Sequence, residues 1–283
     1  MTDIKEIVNS IDTLKPIPPV ATQILALPED MSSSMSEIAD LITHDPAITA
    51  NVLRMCNSAY FGLRRKVESV RDAITLLGLD HIIELVLMDS ISHNFRSEHD
   101  GYGLGEGELW RHAVLSSYVA NILTEAHGGG IRKHLVFTAA LVKDIGKLIL
   151  GRFVAFSFEK INILVNSKGY SFTEAEKEVI GMNHEELGAL MGQRWRFSEK
   201  LIYMIRNHHL SDPSAREDSE TAMVYLADTV CMMMGMGTGV DGLAYRFYSD
   251  VLQRMNLTAE DLQAVIAEIS ENWENVESLL DLV

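Results

Sequence analysis

The chain has 283 residues, with 24 Lys and Arg against 40 Asp and Glu, a formal net charge of -16. That surplus excludes general nucleic-acid binding, which needs clustered cations to displace counterions from phosphates. With 47% apolar residues and two cysteines, Cys56 and Cys231, the chain can bury a large core but offers no disulfide framework and no thiolate zinc site. It contains no apolar run long enough for a membrane span, and Asp3, Lys5 and Glu6 occupy the place of a signal peptide's apolar segment, so a cytoplasmic protein is expected.

Helical spacing starts at once, with Ile4, Ile7, Val8 and Ile11 on one face. Ser34-Met35-Ser36-Glu37 has the form of a capping box. Asp45 suits an N-cap and Pro46 a first helical position, ahead of Ile48, Val52, Leu53 and Met55. Ser69 with Asp72 opens VRDAITLLG, which Gly78 can close with a left-handed cap, and Asp80 begins HIIELVLMDSISHNF. Residues 97–107, SEHDGYGLGEG, are polar and glycine-rich and read as a linker. Beyond them helices are predicted at 108–127, 132–150, 153–168, 172–180, 184–195, 198–209, 219–235 and 258–281. Strand signals hardly occur. The expected fold is all-α, with two packed helical halves: residues 1–96, the linker 97–107, a helical bundle over 108–235 and a C-terminal helical extension over 236–283.

Residues 140–150, ALVKDIGKLIL, place Lys143, Asp144 and Lys147 inside an apolar run. Buried charges of this kind are costly unless they are paired or hold an ion. Further along and before this run, His112, His184, His208, His209 and Asp228 also fall within helical patterns. Each alone reads as a structural residue. Together they form a set of imidazoles and carboxylates, the ligands that divalent Zn, Mn, Fe or Ni accept where no thiolate is present. Helical bundles build such sites from side chains projecting inward from several helices.

The order His112, Asp144, His184, His208-His209, Asp228 resembles the HD superfamily of metal-dependent phosphohydrolases, whose His-Asp pair stands in a context like HDIGK. TLKPIPPVATQILAL, ITHDPAITANVLRMCNSAYFG and VESVRDAITLLGL are similar to the HDOD domain, a branch of that superfamily related to the HD-GYP phosphodiesterases. The resemblance covers roughly residues 10 to 230 and implies that the second half is an HD-like bundle. It also implies that the six residues are metal ligands, with Lys143 where the pair's own histidine belongs. A lysine ammonium has three donors and no acceptor, so it cannot ligate a metal. The resemblance therefore implies a degenerate site in which Lys143 replaces the charge of one ion, while Asp144, His184, His208 and His209 could hold a single divalent Fe, Mn, Ni or Zn. Lys147 occupies the position that contacts substrate phosphate in relatives, or is a plain helix-surface lysine. After His209 the chain reads LSDPSARED, without the Gly-Tyr-Pro loop of the cyclic di-GMP enzymes.

The function implied is that of a regulatory, signal-transduction module binding a partner protein or small signalling ligand, rather than an enzyme. The alternative is a phosphohydrolase or phosphodiesterase with a reduced, mononuclear centre. A scaffold whose polar residues form an internal salt-bridge network is a third reading. Ligand, pathway and oligomeric state are not encoded in any recognisable motif.

Overall fold

A computed structural model describes residues 4–14, 17–25, 35–97, 99–127, 130–237, 239–244 and 246–281. Among these the protein is helical, with no strand beyond an isolated bridge between His99 and Leu104. The first half contains α1 (Ile4–Asn9), α2 (Pro19–Leu25), α3 (Met35–Thr43), α4 (Pro46–Cys56), α5 (Val70–Leu77) and α6 (Leu79–Phe95). There follow α7 (Glu108–His127), α8 (Lys133–Val142), α9 (Lys147–Lys168), α10 (Phe172–Ile180), α11 (His184–Arg194), α12 (Glu199–Asn207) and α13 (Ser219–Met233). The chain closes with α14 (Ser249–Arg254), α15 (Ala259–Glu271) and α16 (Trp273–Leu280).

Local signals set many of these boundaries. The Asp45 side chain accepts hydrogen bonds from the Ala47 and Ile48 amides at 3.0 and 3.1 Å, and Pro46 begins α4. Ser69 accepts from the Asp72 amide at 3.1 Å. Gly78 ends α5 with φ +88° and ψ 158°, not the expected left-handed cap but a conformation that still disfavours any side chain, and leads directly into α6. Ser34, the expected cap before α3, lies outside the described residues.

α6 is apolar nearly all round and is buried over most of its length. A helix of that kind must be covered on every side. It packs against α2, α4 and α5 and also against α7 and α8, so one continuous apolar core runs from Ile7 to Leu280. α7, α8 and α13 pack on one another, with α9 to α12 around them. The glycine-rich segment folds back onto the helices that follow it. Its turn Asp100–Tyr102 packs on α9, Tyr102 is buried, and a Cβ on Gly101 would stand 1.8 Å from the Gly151 carbonyl oxygen. Its glycines permit close backbone approach.

Three boundaries differ from those expected. The predicted helix over 132–150 breaks at residues 143–146, and the next helix runs unbroken from Lys147 to Lys168. Tight bonds from the Ile145 amide to the Val142 carbonyl and from the Lys147 amide to the Asp144 carbonyl replace regular helix there. The break brings Gly146 against α11, where a Cβ would meet the His184 carbonyl oxygen at 2.0 Å. α12 stops at Asn207, leaving His208 and His209 in the following turn. The last predicted helix is interrupted at Asn272.

Candidate metal centre

The six predicted ligands converge in one buried region. His112 projects from the second turn of α7, Asp144 from the α8–α9 turn, and Asp228 from the middle of α13. His184 is the first residue of α11, aimed by a reciprocal capping box between Asn183 and Glu186. His208 and His209 follow α12. Of the six, His209 is the one with partial solvent access; the others are buried.

Asp144 divides the region in two. Its Oδ2 faces the Lys143 ammonium, which is ion-paired with it and lies 2.7 Å from Asp228 Oδ1 and 3.0 Å from His112 Nε2. The ammonium thus sits among three residues, the same three that would otherwise converge on a cation. His112 Nδ1 is 3.0 Å from the Met236 carbonyl. His112 Nε2 is also 2.8 Å from Asp228 Oδ1. The Lys143 side chain is 1% exposed. An additional metal does not fit here while Lys143 holds this position.

On the other side, Asp144 Oδ1 lies 3.8 Å from His184 Nε2 and 3.7 Å from His208 Nε2. His184 Nε2 and His209 Nε2 are 3.0 Å apart. His184 Nδ1 donates to the buried Glu176 carboxylate at 2.8 Å, and His208 Nδ1 donates to the Ile205 carbonyl at 2.8 Å. Each bond fixes a ring so that Nε2 turns inward, the arrangement that outer hydrogen bonds impose on metal-binding histidines. His208 Nε2 is buried with no hydrogen-bond partner. An orphaned imidazole lone pair beside two further imidazoles and a carboxylate oxygen fits one divalent transition metal. His184, His208, His209 and Asp144 would hold it.

Charge shapes both parts. Burial acts to raise the Asp144 carboxyl, but Lys143 and Lys147 outweigh it and hold the group well below the usual carboxylate range. Asp228 is likewise held well below that range, with Lys143 and then His112 overcoming burial. Burial alone would depress Lys143, yet the two aspartates raise it. Burial pushes His208 down to about 3 and carries His209 well below its ordinary value. For His184 burial is overcome by Glu176, and the ring is raised.

Lys147 is buried, with its ammonium 2.9 Å from Asp144 Oδ1 and 2.6 Å from Asp241 Oδ2. Asp241 belongs to the turn Val240–Ala244, which closes over this side of the centre. The opening that remains beside Lys147, His184 and His209 is about 30 Å³, room for a few waters at most. Sequence reasoning missed four participants: Asp241, Glu176, Glu185 and Tyr102. Tyr102 donates to Glu176 at 2.6 Å, and Glu185, raised by burial to about 7, accepts from the His209 amide at 3.1 Å. One of them left a trace. Glu176 lies midway between Phe172 and Ile180 at helical spacing, a carboxylate on an apolar face.

Comparison with known proteins agrees with this architecture. A solved HDOD domain protein of unknown function from Geobacter sulfurreducens is 25% identical, with a TM-score of 0.73 and 99% of each chain covered. A protein of Marinobacter aquaeolei VT8 provisionally named for signal transduction is 19% identical, with a TM-score of 0.75 over 97% of this chain and 60% of that one. One of Shewanella amazonensis SB2B, provisionally named a phosphohydrolase, is 19% identical, with a TM-score of 0.68 over 98% and 97% of the two chains. At these lower identities the likeness speaks for the fold alone. The chain spans 39% of the length of the curated relative that it matches. The HDOD domain family model matches residues 14–211, well over half of the sequence. The chain belongs to the HDOD domain family.

Proposed function

We propose that this chain is a regulatory signalling module with a degenerate HD centre, in which the Lys143 ammonium permanently replaces one of two ions. The observation that carries this reading is the ammonium itself, buried among Asp144, Asp228 and His112. A dinuclear centre clamps the attacking and leaving oxygens of a phosphoryl group together, and a fixed ammonium cannot bind the attacking water as a metal does. The closed surroundings support the same conclusion. An opening of about 30 Å³ admits no more than a few waters, and Lys147 is engaged with Asp241. The module then acts by binding a signalling protein or small ligand, in the cytoplasm. Among the described residues no helix is long and apolar enough to cross a membrane.

A second reading rests on the orphaned His208 Nε2. One metal held by His184, His208, His209 and Asp144 supplies Lewis acidity and a water of lowered pKa, the chemistry of a mononuclear phosphohydrolase. Assay of the purified chain with excess Mn or Fe on bis(p-nitrophenyl) phosphate and cyclic di-GMP separates the two. The regulatory reading predicts no metal-dependent turnover above background; robust turnover lost in His208→Ala would establish the enzyme. The division into halves at residues 97–107, with an extension from 236, belongs to the same proposal, and limited proteolysis tests it by whether cleavage concentrates at those two places.

A further inference from the structure

The larger of the two cavities described here lies away from Lys143. It is enclosed by α6, α7 and α8, by the turn Ala59–Phe61, and by α15 and α16, and it measures about 190 Å³. Cavities of roughly 150 Å³ accept benzene, so this one has room for a compact organic molecule of somewhat greater size. Part of its wall, including Glu268 and Leu279, comes from the C-terminal extension, beyond the residues that match the family.

Its chemistry is unlike that of a packing defect. Glu84 is 8% exposed, and its Oε1 accepts a hydrogen bond from Asn121 Nδ2 at 3.2 Å. That bond turns the amide so that Asn121 Oδ1 is left buried without a hydrogen-bond partner. A buried carbonyl without a donor is costly, and each one calls for an explanation, a bound group among them. The surrounding walls are aromatic: Tyr60 and Phe61, edge to face at 4.8 Å, together with Tyr118 and Phe137. Aromatic faces attract cations, most strongly where water is excluded. Among the ionic groups lining it, Lys133 is ion-paired with Glu125, and Glu84 has His81 and, with a smaller influence, that same Lys133 as basic neighbours. Burial, the dominant influence, raises the Glu84 carboxyl against the opposing pull of His81, Asn121 and Lys133.

We propose that this cavity is a binding site for a small organic cation bearing N–H donors, an amine or amidine, with Glu84 as counter-ion, Asn121 Oδ1 as second acceptor and the aromatic walls around its body. The site is independent of the Lys143 centre. Because α6 belongs to the first half and α7, α15 and α16 to the rest, a ligand here touches both parts of the molecule.

Calorimetric titration of the full chain with benzylamine in the millimolar range, alongside benzyl alcohol and benzoate, tests the assignment. Benzylamine is expected to bind saturably, benzyl alcohol at least tenfold more weakly, and benzoate not at all. Glu84→Gln keeps the side-chain shape and should weaken benzylamine at least tenfold without changing benzyl alcohol. Tyr118→Phe, which keeps the aromatic face, should bind nearly as wild type, whereas Tyr118→Leu should lose affinity. Equal binding of all three probes, no saturable binding of benzylamine to the wild type, or unchanged affinity in Glu84→Gln would each overturn the proposal. Should Glu84→Gln not fold, the ranking of probes and the Tyr118 pair decide.

Discussion

Replacing Lys143 by methionine removes the ammonium while keeping an unbranched side chain of similar length. In the wild type that ammonium meets Asp144, Asp228 at 2.7 Å and His112 at 3.0 Å, in a place 1% exposed. Removing one partner of a buried ion pair costs about 3–5 kcal/mol, because the other charge is left without compensation. Two features reduce the loss here. Lys147 remains 2.9 Å from Asp144 Oδ1, and His112 Nε2 remains 2.8 Å from Asp228 Oδ1. The methionine fills nearly the same volume, so little cavity cost is added. The expected destabilisation is therefore near the lower limit, about 3 kcal/mol, a large part of a typical total stability of about 5–15 kcal/mol. Urea unfolding followed by circular dichroism at neutral pH measures it directly, provided the m-value is unchanged. Adding Asp228→Asn to the lysine variant should recover part of the loss, since the charge left uncompensated is then gone. A Lys143→Met protein within about 0.5 kcal/mol of wild type would place the change among ordinary surface substitutions and refute the buried-ion argument.

Gly146→Ala should destabilise severely or prevent soluble expression, because the new Cβ would stand 2.0 Å from the backbone oxygen of His184 and neither backbone can yield alone; soluble yield and melting temperature are the readouts. Acidification should weaken the metal-free fold from about pH 6.5 downward, the ordinary histidine value. His208, lowered by burial to about 3, and His209, also lowered, stay neutral in the fold while the unfolded chain binds their protons, so stability falls as pH falls, by up to about 1.4 kcal/mol per pH unit for each ring. His184 is raised, so its own contribution is complete below the unfolded value and is lost as pH rises; it does not reverse the acid slope. Urea midpoints across this range in the presence of a chelator check the sign, and a flat profile would contradict it. Tyr102→Phe removes the donor that holds Glu176 at 2.6 Å and should weaken metal retention at the histidines while leaving the helical content intact, measured by chelator competition.

The helical class was legible in the sequence because it depends on local pattern, as where Asp45-Pro46 announces a helix start; that His112, Asp144 and Asp228 come together is an expectation from the resemblance to the HD superfamily, since each alone reads as structural. What was not legible depends on contacts between distant segments. The glycine-rich stretch 97–107 has a linker's composition, yet Gly101 is pressed against Gly151 and Tyr102 is buried beside Glu176. The break at 143–146 has no proline or capping residue to mark it; it is imposed by the approach of Gly146 to α11. Lys147 gives no local sign that its partner is Asp241, almost a hundred residues further on.

Metal content of the wild type and of Lys143→His, purified without a metal-affinity tag and reconstituted with Mn or Fe, tests the central claim most directly. Lys143→His exchanges an ammonium that can only donate for an imidazole that can ligate. The account predicts no more than one equivalent per chain in the wild type, lost in His208→Ala, and a rise toward two in Lys143→His. Two equivalents bound by the wild type, at a centre whose first position is closed by the Lys143 ammonium, would contradict it.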